Sequence, residues 1–258
     1  MMRVALYQAR DVARSRWLSA YALFFLGATE FLIRVQGGDA RSLLSLANVV
    51  LYLVPLVTVV FGTVYVYGAR EFTELLLAQP VHRRALFGGL YAGLTAPLVV
   101  ALWVGVGVPF LLHGAQGHGA MLAALLVAGG ALTMIFSALA FCIATWCEDR
   151  LRGLAAAIGV WMLAAILYDG LVLLVVAAFA DYPIERAMLA LTLANPIDLA
   201  RVTLLLQLDI SALLGYTGAV YQRFFGSALG TGLAVGALAA WIAAPIGAGM
   251  RAFGRRDF

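Results

Sequence analysis

The chain of 258 residues is 64% hydrophobic and 12% charged, whereas roughly 25% of residues are charged in an average soluble domain. This composition excludes an ordinary soluble protein and indicates an integral membrane protein. All 17 basic residues are arginine, and a P-loop requires the lysine of GxxxxGK[ST], so the chain cannot form a standard ATP-binding P-loop. The net charge of +4 does not indicate nucleic-acid binding, because the arginines lie beside apolar runs, as signals of membrane topology do.

The first 16 residues predict an amphipathic helix at the membrane surface, with arginines and Tyr7 on one side and apolar residues such as Leu6 and Val12 on the other. This region does not resemble a signal peptide. No small-residue cleavage site follows the apolar stretch, and a charged residue, Glu30, lies inside it.

Six apolar runs are each long enough to cross a bilayer, which takes about 20 helical residues. They predict an all-α membrane protein with one transmembrane domain over residues 1–258. An even number of spans places both termini on the same side of the membrane. The predicted spans are residues 17–35, 43–68, 85–112, 120–146, 153–180 and 227–250.

A polar segment, Arg70–Arg84, joins the second and third predicted spans and is predicted to contain a short amphipathic helix. Phe72, Leu75 and Leu76 are spaced so that they form one apolar side. Two glutamates in the first turn suit the positive end of the helix dipole, and Pro80 ends the helix. Such a helix either docks a soluble partner or simply packs among lipid headgroups.

The distribution of arginine predicts the orientation in the membrane. Twelve of the 17 arginines fall on the side that holds both termini, the segment Arg70–Arg84 and the turn at 147–152. By the positive-inside rule this side is cytoplasmic, in the cytoplasmic (inner) membrane of a bacterium or archaeon. The arginines assigned to the other side are Arg34, Arg41, Arg186, Arg201 and Arg223.

A more polar stretch, residues 181–226, precedes the last span and is predicted to be extracytoplasmic. Asparagine caps helices and proline suits the first helical position, so Asn195 and Pro196 predict a helix start. We expect two or three helices that pack on the outer membrane face or dip into the membrane, forming a gate, a partner-docking surface or a cover over the span ends. The candidate gate or docking residues are Asn195, Pro196, Asp198, Tyr216 and Arg223.

Two ionisable residues, Glu30 and Asp169, lie within predicted spans. Charges at this depth are costly and usually face the bundle interior or a cavity, so both are candidates for lining a transport pathway. The alternatives are a structural pair, for Glu30 with Arg34 one turn later, or a protonated, hydrogen-bonded carboxyl group.

No metal site and no catalytic residue are predicted. Met134, Cys142 and Cys147 lie along one apolar run at spacings that suit a shared ion poorly. The sequence contains neither an HExxH nor a GxSxG motif, and its three histidines lie at or beyond span edges. An intramembrane enzyme is therefore disfavoured.

The segment Arg70–Arg84 resembles the cytosolic loop after the second span of type-2 ATP-binding-cassette (ABC) exporter permeases, which reads roughly E-x-G-T-x-E-x-L-L-x-x-P-x-x-R. Phe72 stands where that family has glycine. The N-terminal amphipathic helix, the six spans and the insert before the last span are also similar to this family, so the resemblance covers the whole chain. The matching positions are Thr73, Glu74, Leu76, Leu77, Pro80 and Arg83, with Glu71 near the first acidic position.

The resemblance implies a homodimeric permease whose coupling helix, in segment 70–84, is seated in a separate ABC ATPase. That ATPase would bind ATP and Mg²⁺, leaving this chain without a cofactor. Residues 195–198, 215–219, 223–227 and 255–258 are most similar to the permease subfamily associated with nitrous oxide reductase maturation. This similarity implies a sulfur or copper-related cargo and a periplasmic partner protein. An exporter of a drug, lipid or other hydrophobic molecule, and a membrane anchor for an extracytoplasmic partner, stay open as alternatives.

Overall fold

The computed structural model describes residues 2–77, 82–113, 119–179, 185–207, 224 and 227–255. Regular secondary structure in these residues is helical throughout, and six segments are long and apolar enough to cross a membrane. The predictions of an all-α fold and six spans are therefore confirmed. The six segments are α2 (Arg16–Gln36), α3 (Ala40–Gly68), α5 (Arg83–His113), α6 (Gly119–Trp146), Arg150–Ala178, and Leu229–Gly254 within α11 (Ala228–Arg255).

The fifth span is divided into α7 (Arg150–Met162), a π-helical stretch (Leu163–Leu167) and α8 (Tyr168–Ala178). A π-helical stretch disturbs the regular hydrogen-bond ladder and often marks a functional position. The shorter helices are α1 (Met2–Ala13), α4 (Arg70–Leu77), α9 (Glu185–Ala194) and α10 (Pro196–Gln207).

Local capping residues set where the spans begin and end. Ser15 accepts a hydrogen bond from the backbone N–H of Trp17 at the start of α2, and Gly37 ends that helix at φ 84°. At the start of α7, Asp149 accepts from the N–H of Leu151 at 2.9 Å. These contacts satisfy backbone groups that a helix end leaves without partners, so the turns between spans are short.

The most enclosed span is α6, which packs against α3, α5, α10 and α11. Its neighbour α5 also contacts α1 and α2. By contrast, few side chains of the fifth span are buried, and its leucines Leu163, Leu173 and Leu174 are exposed. In a membrane, such an apolar surface is covered by lipid or by another protein chain.

The N-terminal helix α1 packs along α5 rather than standing apart from the bundle. Gln8 and Val12 are buried, and the Tyr65 hydroxyl donates a hydrogen bond to the side-chain oxygen of Gln8. Leu6 is 55% exposed although the sequence pattern placed it on the apolar side. The buried face is narrower than predicted because α5 covers only one side of a short helix.

The packing of α1 on α5 depends on glycine at position 93. A Cβ atom there would lie 2.6 Å from Gln8 Cβ and 3.1 Å from the carbonyl oxygen of Ala5, so α1 would have to shift. We expect Gly93→Ala to lower the free energy of unfolding by about 1–3 kcal/mol, as overpacking usually does. Thermal unfolding in detergent measures this loss. The matched control is Gly27→Ala, which adds the same methyl group to a helix with no atom within 4 Å, and an equal effect at both positions would contradict the steric argument.

The helices α9 and α10 form a pair bent by 112°. Of the two predicted arrangements, packing on the outer face or dipping inward, the contacts of α10 with α3, α6 and α11 match the second. Ile197, Leu199 and Ala200 are completely buried. Consecutive apolar residues on several sides of α10 suit burial among helices better than a half-exposed position.

Candidate functional site

The helix α4 has an acidic edge on the side that faces away from the helix bundle. Glu71 and Glu74 are exposed and Leu75 is 70% exposed, whereas Thr73 is buried and its hydroxyl donates to the Ala69 carbonyl oxygen at 2.7 Å. The predicted apolar side is therefore only partly covered. Leu76 packs against the core, but Leu75 is exposed because α4 turns Thr73 toward the bundle instead. The exposed residues are free to meet another protein.

Arg70 anchors the start of α4 to the end of α6. Its guanidinium donates to the carbonyl oxygens of Ala144 at 3.2 Å, Cys147 at 3.0 Å and Glu148 at 2.7 Å. The last carbonyl groups of a helix lack partners within the helix, and a cation near them is favourable. The guanidinium also lies 4.3 Å from the ring centroid of Tyr67. Arg70 thus completes the C-terminal cap of α6.

Further contacts join α4 and its flanks to other helices. Phe72 stacks on Tyr7 of α1 with ring centroids 6.0 Å apart. Arg83, at the start of α5, donates to the Gly254 carbonyl oxygen near the end of α11 at 3.2 Å. Leu76 packs against the main core, Leu77 is the last residue of α4, and Pro80 lies outside the described residues. The ATPase-coupling roles of these residues stay predictions.

Glu30 forms an ion pair near the C-terminal end of α2. Its carboxylate accepts from Arg34 Nε at 2.7 Å, as the one-turn spacing predicted, and lies 3.5 Å from Nε2 of His113 at the end of α5. This arrangement matches the structural-pair alternative and gives Glu30 a partner within the chain. Its role on a pathway stays a prediction.

A half-buried polar cluster forms around Arg201 of α10. Nη1 of its guanidinium contacts Asp198 Oδ1 at 2.9 Å and Asp169 Oδ1 at 3.1 Å. Nη2 donates to the hydroxyl oxygen of Tyr52 on α3 at 2.9 Å, and that hydroxyl lies 3.4 Å from Asp169 Oδ2. One guanidinium thus joins carboxylates on α8 and α10 to a tyrosine on the span that leads into α4.

Asn195 positions the helix that carries this cluster. Its side-chain oxygen accepts from the N–H of Ile197 at 3.0 Å, capping α10 as predicted. Its amide nitrogen donates to the Ala164 carbonyl oxygen at 2.8 Å and to Asp198 Oδ2 at 3.2 Å. Ala164 belongs to the π-helical stretch, so a carbonyl group in the disturbed ladder receives a side-chain donor.

The predicted gate or docking residues are placed in different ways. Asn195, Pro196 and Asp198 are buried, so in this arrangement they present little surface to a docking protein. Tyr216 and Arg223 lie outside the described residues. Within the described part of the chain, no group of three or more His, Cys, Asp or Glu side chains could hold a metal ion.

A protein-family model described as "ABC-2 family transporter protein" matches residues 8–258. The chain belongs to this family. It is also 27% identical over 264 residues to "Probable ABC transporter permease protein NosY" of Pseudomonas aeruginosa (strain ATCC 15692 / DSM 22644 / CIP 104116 / JCM 14847 / LMG 12228 / 1C / PRS 101 / PAO1), an alignment that covers 95% of this chain and 92% of that protein. The recognition of an ABC-2 permease similar to NosY is thereby confirmed, and such a permease is a multi-pass membrane subunit of an ABC transporter.

Two members of the polar cluster in this ABC-2 permease were not predicted from the sequence. Arg201 was predicted to lie on the outer side of the membrane, and in the structure it lies beside Tyr52, about 18 Å along α3 from the N-terminal end of that helix at the usual helical rise. Tyr52 stands in an apolar run and carries no charge that would single it out. The spacing of Asp198 and Arg201, one turn apart on α10, was the available signal.

Proposed function

We propose that this permease works as a homodimer with a separate ABC ATPase and that α4 is the helix seated in that ATPase. The observation that carries the proposal is the exposed edge formed by Glu71, Glu74 and Leu75 on a helix that Arg70 holds in place. A helix that only packed among anionic headgroups would turn arginines outward, because headgroup attraction favours basic residues. The ATPase subunit binds ATP and Mg²⁺, since this chain has no lysine for a P-loop.

The movement that ATP drives reaches the opposite side of the bundle through α3. This helix ends at Gly68, immediately before α4 begins, and it carries Tyr52 beside Arg201 of α10. A displacement of α4 by ATPase closure therefore acts on the polar cluster and on the 181–226 insert, which contributes Asp198 and Arg201 to it. The insert works as a gate, giving alternating access by movement of packed helices. Asp169 lies on the cargo pathway in this mechanism, and Glu30 lies near its outer end.

The membrane is the cytoplasmic membrane of a bacterium or archaeon, with both termini in the cytoplasm. The arginine distribution supports this orientation. With Arg201 inside the bundle, the outer side keeps only Arg34, Arg41, Arg186 and Arg223 of the five first assigned to it. The excess of arginines on the cytoplasmic side over the outer side is then larger than the sequence analysis indicated.

The proposed cargo is a sulfur or copper-related species used in nitrous oxide reductase maturation, delivered to a periplasmic partner protein. The support is the similarity of four sequence segments to that permease subfamily, together with the alignment to the NosY permease. A second candidate is export of a drug, lipid or other hydrophobic molecule, favoured by the long apolar surface of α7 and α8. A membrane anchor for an extracytoplasmic partner is the alternative from another class.

Co-purification with candidate ABC ATPase subunits tests the proposal. We expect the wild-type permease to retain an ATPase and the Glu71→Arg/Glu74→Arg variant to lose at least about 90% of it. Exposed charge pairs at an interface rim each contribute modestly, but like charges placed in opposition cost several kcal/mol. The bound ATPase is measured by its ATP hydrolysis after purification.

The matched control for this experiment is Asp11→Arg, which reverses an exposed acidic residue on the N-terminal helix at the same predicted side of the membrane. This variant should retain the ATPase. If no ATPase co-purifies with a folded wild-type permease, or if the α4 variant binds as well as the control does, the coupling role of α4 is wrong. The anchor alternative would then be the better explanation.

A further inference from the structure

An open groove of about 890 Å³ lies between the start of α5 and the end of α11. Basic residues from both helices line it, namely Arg83 and Arg84 of α5 and Arg251 of α11, with His82 immediately before α5. The two helices are distant in sequence, and the hydrogen bond from Arg83 to the Gly254 carbonyl oxygen holds their ends together. The groove is thus an open depression built by two helices, and its charges do not come from a single run of sequence.

Two of these arginines are available to a ligand. Arg84 and Arg251 are exposed, and neither forms a hydrogen bond or ion pair with any residue in the part of the chain that the structure describes. The N-terminal end of α5 adds the partial positive charge of unpaired backbone N–H groups. The groove therefore concentrates positive potential and favours an anion.

The position of the groove restricts the kind of anion. It lies where two candidate membrane spans, α5 and α11, reach the end of their apolar sequence. Ala85 and Met250 complete its wall, so the charged rim passes directly into apolar surface. A phosphate group at the rim, with acyl chains against the wall, would match both parts.

We propose that this groove binds the headgroup of an anionic phospholipid. Basic pockets between transmembrane helices are suited to such headgroups, and arginine pairs with phosphate through charge-assisted hydrogen bonds. A headgroup held by Arg84 and Arg251 bridges α5 and α11 and reinforces the joint that Arg83 makes with Gly254. Bound lipid therefore stabilises the packing of the last span.

The test compares phosphatidylglycerol with phosphatidylcholine on the purified full-length permease. Native mass spectrometry counts retained lipids, and thermal unfolding in detergent measures stabilisation by each lipid. We expect preferential retention of phosphatidylglycerol and a higher Tm with it. Arg84→Gln/Arg251→Gln removes two charged contacts to the headgroup and should therefore weaken phosphatidylglycerol binding at least about tenfold.

The matched control is Arg150→Gln/Arg152→Gln, which removes the same charge from an exposed arginine pair at the start of α7. This control should keep wild-type retention, and the lipid-free Tm of both variants checks that each one folds. Equal losses in the two variants would show general surface attraction and overturn the proposal. An equal response to phosphatidylcholine would also overturn it, as would equal stabilisation by inorganic phosphate or glycerol 3-phosphate, which would indicate a site for soluble anions.

Discussion

Arg201→Leu is expected to lower the free energy of unfolding by about 3 kcal/mol, because it leaves two carboxylates facing each other without their shared cation. Removing one partner of a buried ion pair typically costs about 3–5 kcal/mol. The lower end applies here because the side chains of Arg201 and Asp169 are 25% and 33% exposed. The substitution also removes the donor that binds the Tyr52 hydroxyl oxygen. Thermal unfolding in detergent measures the loss.

Two further variants separate charge from packing in this cluster. Adding Asp169→Asn and Asp198→Asn to Arg201→Leu removes the uncompensated charges, so it should recover much of the lost stability. Tyr52→Phe removes one hydroxyl group and keeps the ion pairs, and it should cost about 1 kcal/mol. If Arg201→Leu unfolds at the wild-type temperature, the cluster contributes nothing to stability.

Arg201→Lys provides a more demanding comparison. The guanidinium reaches both carboxylates with one nitrogen and Tyr52 with another, a geometry that depends on its planar fork. Lysine keeps the positive charge but offers a single ammonium group. It should therefore restore only part of the stability. Full recovery with lysine would show that net charge alone matters at this position.

The six spans could be predicted from sequence because a bilayer requires long apolar runs, and such runs are recognised from their length and composition alone. Asp169 could be singled out for a similar reason, since a carboxylate within an apolar span is rare, whereas Asp198 was named only as a candidate gate or docking residue of the insert. Their meeting at Arg201 could not be predicted. It depends on α10 turning by 112° from α9 into the bundle, a consequence of helix packing that the periodicity of one helix does not contain.

The N-terminal helix shows a related limit. An amphipathic pattern predicts that one face is covered, but it does not distinguish a lipid surface from a protein surface. In the structure, α5 covers part of that face through Gln8 and Val12 and leaves Leu6 exposed. Likewise, Thr73 rather than Leu75 faces inward on α4, because the anchored position of Arg70 fixes the rotation of this short helix.

Arg70→Gln is expected to separate ATPase binding from ATPase coupling. The substitution removes the charge-assisted donors that reach the Ala144, Cys147 and Glu148 carbonyl groups, each worth about 1.5–3 kcal/mol when well ordered. Solvent exposure reduces this, so we expect a total loss of about 2 kcal/mol in the docking of α4 onto α6. The acidic edge of α4 is unchanged, and an ATPase should still co-purify with the variant.

Hydrogen–deuterium exchange measures this docking directly. Backbone amides of residues 70–77 should exchange at least about tenfold faster in Arg70→Gln, since about 1.4 kcal/mol corresponds to a factor of ten. In Arg70→Lys the same amides should exchange nearly as fast as in Arg70→Gln, because an ammonium group cannot contact three carbonyl oxygens in the same geometry. Unchanged exchange in both variants would show that Arg70 does not hold α4.

A substitution at Gly153, which contacts the Tyr67 ring beneath Arg70, provides an independent check that this contact holds α4 in place. Gly153, in the first turn of α7, lies directly against the Tyr67 hydroxyl, so a methyl group in Gly153→Ala must displace that ring. The Tyr67 hydroxyl donates to the Cys147 carbonyl oxygen at 2.9 Å, and its ring lies under Arg70. Gly153→Ala should therefore also loosen α4, although it leaves every charge in place. ATP hydrolysis that no longer responds to the permease, in variants that still bind the ATPase, would show that α4 transmits force only while it is held to α6.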